Sequence, residues 1–239
     1  MAQRTLAGAT PASFWTCTTT GLRVHRSVVP PLMANAVTAI VFLLVGGFLA
    51  LLIGLTRWEA VHLLSPRWYY IVLTLHSWSM LIFWIIFMEV AILYFASAIV
   101  LNTRLVTPQA AWLAYVLMLG GSLLAAGVAL FQGDRWDQPL LTSYVPLNIH
   151  PLFLLGAIVF AVGAFLALGV FFATVWRASR ERTYRGSLPL VTFGAFVAAV
   201  IAVETLLGGS IAYIWQFLHA VGLVASVDAE MYRVVWWLL

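Results

Sequence analysis

Three ionisable side chains stand in stretches whose composition gives them no solvent. His76 and Glu89 fall within residues 69–100, YYIVLTLHSWSMLIFWIIFMEVAILYFASAIV, and Glu204 falls in a second apolar run, residues 188–215. A bilayer core offers no water to an imidazole or a carboxylate. Such groups therefore face the protein interior, take a partner, and mark a cofactor, ion or proton site. On a helix, His76, Met80, Phe83 and Phe87 recur at i, i+4, i+7 and i+11, which makes a single stripe. A flat macrocycle fits against such a wall, and imidazole is a common axial ligand of haem iron. The alternative is that His76 hydrogen-bonds a neighbouring helix and the stripe is ordinary packing; the residues alone leave both open.

Glu89 lies about 20 Å further along the same helix and on nearly the opposite face, so it shares no ligand shell with His76. Glu204 lies at comparable depth by the same counting. Each carboxylate is a candidate to relay protons, and each is equally readable as a protonated carboxyl in an interhelical hydrogen bond.

The elements that must position these groups are membrane helices. With 64% hydrophobic residues, 8% charged residues and a mean hydropathy of +1.03 over 239 residues, the chain is an integral membrane protein. The twelve basic residues are all arginine and are scattered between apolar runs, so nucleic-acid binding has no support. The single cysteine, Cys17, excludes an internal disulfide framework, a CxxCH haem attachment and a four-cysteine cluster. Any metal must then be held by histidine or carboxylate, or come with a partner.

Residues 1–31 read as a short extramembrane tail ending in Arg23, His25 and Arg26, and residues 32–239 as the membrane domain. Apolar runs predict spans over 32–55, 69–100, 110–131, 151–176 and 188–215, each near the ~20 residues that cross the hydrocarbon. Gly46, Gly47 and Gly54 on the first run, Gly120, Gly121 and Gly127 on the third, and Gly156, Gly163 and Gly169 on the fourth allow close helix contact. Trp58, Trp68, Tyr69 and Tyr70 suit an interfacial belt. The arginines divide eight against at most four between the two sides, which puts the N-terminus in the cytoplasm. His62, His150 and His219 then lie at the outer surface as interface residues. Arg177, Arg180, Arg182 and Arg185 form a basic loop on the inner side, a topology signal that also suits anionic lipid. The last residues, MYRVVWWLL, open a sixth apolar helix that breaks off, so the chain reads as an N-terminal fragment of a longer polytopic protein.

LTLHSWSM near the outer end of helix two, SYVPL before helix four and DAEMYRVVWWLL at the start of helix six together resemble subunit I of the haem-copper oxidase superfamily. In that family a Thr-Leu-His run in helix two supplies an axial ligand of the low-spin haem, which His76 matches. Tyr144, Val145, Pro146 and Leu147 match a Tyr-Pro-Pro-Leu-like loop, with Val145 replacing the first proline. Met231, Tyr232, Trp236 and Trp237 match the lead-in to helix six. Ser77 stands where the better-known members carry glycine, and their asparagine-rich proton-channel motif is missing, which implies a divergent branch.

The resemblance implies an all-α polytopic bundle of five full transmembrane helices and a truncated sixth, half of a twelve-helix subunit. It implies the catalytic subunit of a prokaryotic plasma-membrane terminal oxidase. Such an enzyme takes electrons from cytochrome c or quinol through the low-spin haem, reduces dioxygen to water at a high-spin haem and copper, and translocates protons. Subunit II and other oxidase subunits are the implied partners. His76 is then the iron ligand, with Met80 and Phe83 beside the cofactor, and Glu89 and Glu204 the possible proton relay. The remaining metal ligands are implied to lie on later helices, so this part alone is not expected to be active. A nitric oxide reductase of the same superfamily, or a six-helix transporter coupled through Glu89 and Glu204, are the other readings.

Overall fold

The computed structural model describes residues 13–140, 145 and 147–237. Five long helices among them are apolar enough to cross a membrane: α1 (Val29–Arg57), α2 (Pro66–Ile99), α3 (Pro108–Phe131), α4 (Pro151–Glu181) and α5 (Leu190–Ala220). A shorter α6 (Ala229–Trp237) comes after them. Proline stands in the first turn of each of α1 to α4. Its missing N–H is one that no helix start can pair internally, and its fixed φ is already helical. The expected all-α polytopic bundle is what the chain forms.

Two helices outrun the apolar runs that announce them. α4 continues past Trp176 because Arg177 pairs with Glu181 one turn on, at 2.8 Å, and Arg180 lies 4.7 Å from the Trp176 ring. Arg177 and Arg180 are thus helical, and only Arg182 and Arg185 belong to the basic loop. α5 runs on to Ala220 and carries Gln216 and His219, two residues that read from the sequence as part of a turn. Gln216 is buried, and its side-chain oxygen accepts a hydrogen bond from Tyr232 on α6.

Residues 13–28 are more than a tail. β1 (Phe14–Thr16) and β2 (Arg23–His25) pair antiparallel, Trp15 opposite Val24. The hairpin docks on the bundle through buried Val24 and Val28.

α2 is interrupted by two π-helical turns, Ser79–Phe83 and Phe95–Ile99. A π-turn adds one residue and rotates the remainder of the helix by about 100° relative to an ideal one. The expected stripe is bent by this turn but still runs along α1, with Met80 against Gly46 and Phe83 and Phe87 against Phe42. Phe83 and Phe87 turn into the aromatic core, where Phe83 meets Phe42, Trp78 and Phe160 at 5.0, 5.6 and 5.2 Å between centroids.

α3 and α4 pack backbone to backbone. A Cβ on Gly121 would lie 2.5 Å from the Phe160 nitrogen, and one on Gly156 would lie 2.8 Å from the Ala125 nitrogen. Gly120, one residue away, has open space around its position. Gly121→Ala is therefore expected to destabilise the bundle by about 1–3 kcal/mol, the range for overpacking against groups that cannot yield, while Gly120→Ala changes little. Thermal unfolding of the two variants in detergent checks this; equal losses would show that the close approach is not the cause.

Candidate functional site

His76 lies on the α2 turn immediately preceding the first π-turn, half-buried, and its Nδ1 is 2.9 Å from the main-chain oxygen of Gly46 on α1. A carbonyl can only accept, so Nδ1 carries the proton and donates. This fixes the tautomer: Nε2 holds the lone pair, and no hydrogen bond reaches it among the described residues. A metal-bound imidazole has this arrangement, since its second nitrogen normally donates to a carboxylate or a backbone carbonyl. The interhelical hydrogen bond and the ligand role, alternatives at the level of sequence, are compatible here because each uses a different ring nitrogen.

Gly46 makes the contact possible. A Cβ there would lie 2.6 Å from Met80 Sδ and 3.2 Å from Ser79 Cβ, so α2 sits against α1 where only glycine fits. Gly47 and Gly54 have nothing within 4 Å of such a Cβ. The first two members of the expected stripe thus stay together, with His76 bonded to the Gly46 carbonyl and Met80 packed on the Gly46 Cα. Phe83 packs one turn further along the same pair of helices, 5.0 Å from Phe42 of α1, and is 1% exposed.

The neighbouring Trp78 fixes this end of α2 from the other side. Its Nε1 donates to the Leu140 carbonyl at 2.6 Å, and its ring meets Phe153 edge-on at 5.0 Å. Gly46 and Trp78 were missed as site residues from sequence. The i+2 offset of Trp78 from His76 gave no signal, and Gly46 was one of several equivalent glycines.

His150 and His219 are occupied elsewhere. His150 caps α4, its Nδ1 accepting from the Leu152 N–H at 3.1 Å, and burial holds its imidazole below the ordinary value. His219 Nδ1 donates to the Val224 carbonyl at 3.0 Å. Among the described residues no group of three or more His, Cys, Asp or Glu side chains is arranged to hold a metal ion. The donor set around His76 is therefore one imidazole, which suits an axial haem ligand and does not suit a free-ion site.

The two intramembrane carboxylates part company. Glu89 is half-buried and lines a cleft of about 350 Å³ between α2, α4 and α5, otherwise apolar except for Thr205. Glu204 is exposed on α5 and does not line that cleft. Comparable depth did not give them a common environment.

The family model for cytochrome c and quinol oxidase polypeptide I matches residues 31–239. A heme-copper terminal oxidase dimer solved by cryo-electron microscopy shares the fold, with a TM-score of 0.77 at 21% identity over 90% of this chain. The chain spans 37% of the length of that solved subunit. No curated protein matches it in sequence. The match runs through every described spanning helix and includes both partners of the His76–Gly46 bond, and the chain belongs to the cytochrome c and quinol oxidase polypeptide I family.

Proposed function

We propose that this chain forms the low-spin haem side of a respiratory terminal oxidase, in which His76 would hold the haem iron through Nε2. The observation that carries this is the hydrogen bond from His76 Nδ1 to the Gly46 carbonyl, which leaves a single, oriented lone pair. The family supplies the identity of the group: haem, when bound, carries single electrons toward a haem-copper centre where dioxygen becomes water.

This chain's own residues then have distinct tasks. The Gly46 carbonyl orients the imidazole and raises its basicity by drawing on the Nδ1 proton. Met80 packs against the Gly46 Cα and fills the space beside the ring. Trp78 ties the outer end of α2 to the loop before α4, so the ring is placed by two helices and a loop. Glu89, facing the cleft between α2, α4 and α5, is the carboxylate positioned to hold and release a proton; Glu204 faces away from it. The excess of arginine at the end carrying β1, β2 and the loops after α2 and α4 supports a cytoplasmic N-terminus in a plasma membrane. Partners include the other oxidase subunits, with subunit II and cytochrome c or quinol as the expected source of electrons.

In the full-length oxidase assembled with its partners, His76→Ala is expected to abolish the low-spin haem band of the reduced-minus-oxidised spectrum. Gly46→Ala, which leaves the ligand in place, should weaken haem retention about tenfold or more by forcing Met80 and α2 away. A spectrum unchanged by His76→Ala would end the assignment.

The carboxylates are separated by a second measurement. Glu89→Gln is expected to slow proton-coupled oxygen consumption in reconstituted vesicles by about a hundredfold, the lower range for loss of a proton-transferring group, and Glu204→Gln to leave it near the parent rate. Equal effects at the two positions would show that the cleft does not select between them.

A further inference from the structure

The two ends of the bundle differ in charge. At the end formed by the β1–β2 hairpin, the α2–α3 loop and the end of α4, seven arginines face the single carboxylate Glu181 among the described residues: Arg23 and Arg26 on or beside the hairpin, Arg104 in the loop, and four between 177 and 185. The opposite end holds five carboxylates, Glu59, Asp134, Asp137, Asp228 and Glu230.

Within the arginine-rich end, three groups from three separate segments are brought together. The Thr174 hydroxyl accepts from the Val106 N–H at 3.4 Å, and the Thr183 hydroxyl donates to the Leu101 carbonyl at 2.5 Å. These bonds tie the loop carrying Arg104 to the stretch of α4 carrying Arg177. His25 of β2 completes the group. β2 packs against the second π-turn of α2, which leads directly into the loop carrying Arg104, and burial followed by the charges of Arg104 and Arg177 holds the His25 imidazole below the ordinary value. Its Nδ1 accepts from the Ser27 N–H at 3.2 Å, so Nε2 carries the proton and is a donor. Glu181 pairs with Arg177, while Arg104 is exposed and has no carboxylate partner among the described residues. The group therefore offers guanidinium and imidazole N–H donors with a surplus of positive charge.

We propose that His25, Arg104 and Arg177 bind the phosphate of an anionic phospholipid at this end of the bundle. Charge complementarity selects the phosphate, since basic pockets between membrane helices take acidic headgroups. Position selects a lipid as its source. Trp176, next to Arg177, leaves 62% of its surface uncovered with the Arg180 guanidinium against its ring, as an interfacial aromatic does. Phe95, in the second π-turn of α2, leaves 37% uncovered on the apolar side of the same region. A headgroup at the arginines thus has exposed apolar surface beneath it for its chains.

The test uses the full-length protein in phosphatidylcholine nanodiscs with and without phosphatidylglycerol, with retained lipid counted by native mass spectrometry. Phosphatidylglycerol is expected to be retained in preference to phosphatidylcholine, and its affinity to fall roughly fivefold for each arginine removed in Arg104→Ala and in the Arg104→Ala, Arg177→Ala pair. Arg104→Lys should keep most of the affinity, and Arg57→Ala, at the other end, all of it. Arg104 is exposed and outside any helix, so Arg104→Ala alone decides the matter if the double variant does not fold. Equal retention of the two lipids, an equal loss in Arg57→Ala, or displacement of the lipid by inorganic phosphate at matched concentration would each overturn the proposal, the last by showing a site for a free anion.

Discussion

A hydrogen bond from an imidazole on one membrane helix to a main-chain carbonyl on the next is the constraint around which the site is built. Inside a helix the Gly46 carbonyl already receives a main-chain N–H from the following turn, and only its second lone pair is open. A side chain reaches that lone pair when the helices lie close, and here a single Cβ on residue 46 would collide with Met80 and Ser79. Close approach, proton position and ring orientation are thus one condition. An unpaired imidazole N–H in hydrocarbon would be costly, so the bond is also what allows a histidine at this depth to present its other nitrogen bare.

The π-turn that begins three residues after His76 reconciles two demands on α2. His76 and Met80 meet Gly46 of α1, while Phe83 and Phe87 meet both Phe42 of α1, at 5.0 and 5.8 Å, and Phe160 of α4, at 5.2 and 5.9 Å. The extra residue lets the phenylalanines reach α4 while still touching α1, and the i→i+4 bonds lost there are replaced by i→i+5 bonds.

Much of the bundle was legible because hydrocarbon imposes a length and a composition that soluble folds do not share. The five spans come from apolar runs, and the start of α4 at Pro151 from the chemistry of a ring without an N–H. Helix ends were less legible. Hydropathy registers where apolar residues stop, whereas α4 is prolonged by an ion pair between Arg177 and Glu181, and α5 by burial of Gln216 against Tyr232. The β1–β2 hairpin left no trace, since three-residue strands have no period to detect. At the site, His76 stood out by the cost of its placement, but its partner did not: Gly46 and Gly47 are identical in type, and only helix rotation decides which of them meets α2. Phe83 was placed beside His76 by an ideal-helix count; the π-turn changes its angle and brings it also against Phe160, a contact the count could not give.

The carboxylates show where depth stops being informative. Glu89 and Glu204 are the same residue type, both lie well inside a span and both have apolar neighbours. The difference between them is which helix face is already occupied. α2 is the more enclosed helix, with half of its most apolar window buried against 17% for α5. A carboxylate on α2 is therefore enclosed by the chain's own helices and meets a cleft. One on α5 faces outward, and in an apolar layer an uncovered carboxylate is costly unless further protein meets it. The solved oxidase subunit that shares this fold is much the longer chain, this one spanning 37% of it. A transporter coupling both carboxylates needs them on one aqueous path, and in this structure only Glu89, half-buried, lines the cleft between α2, α4 and α5, while Glu204 is exposed on α5 outside it.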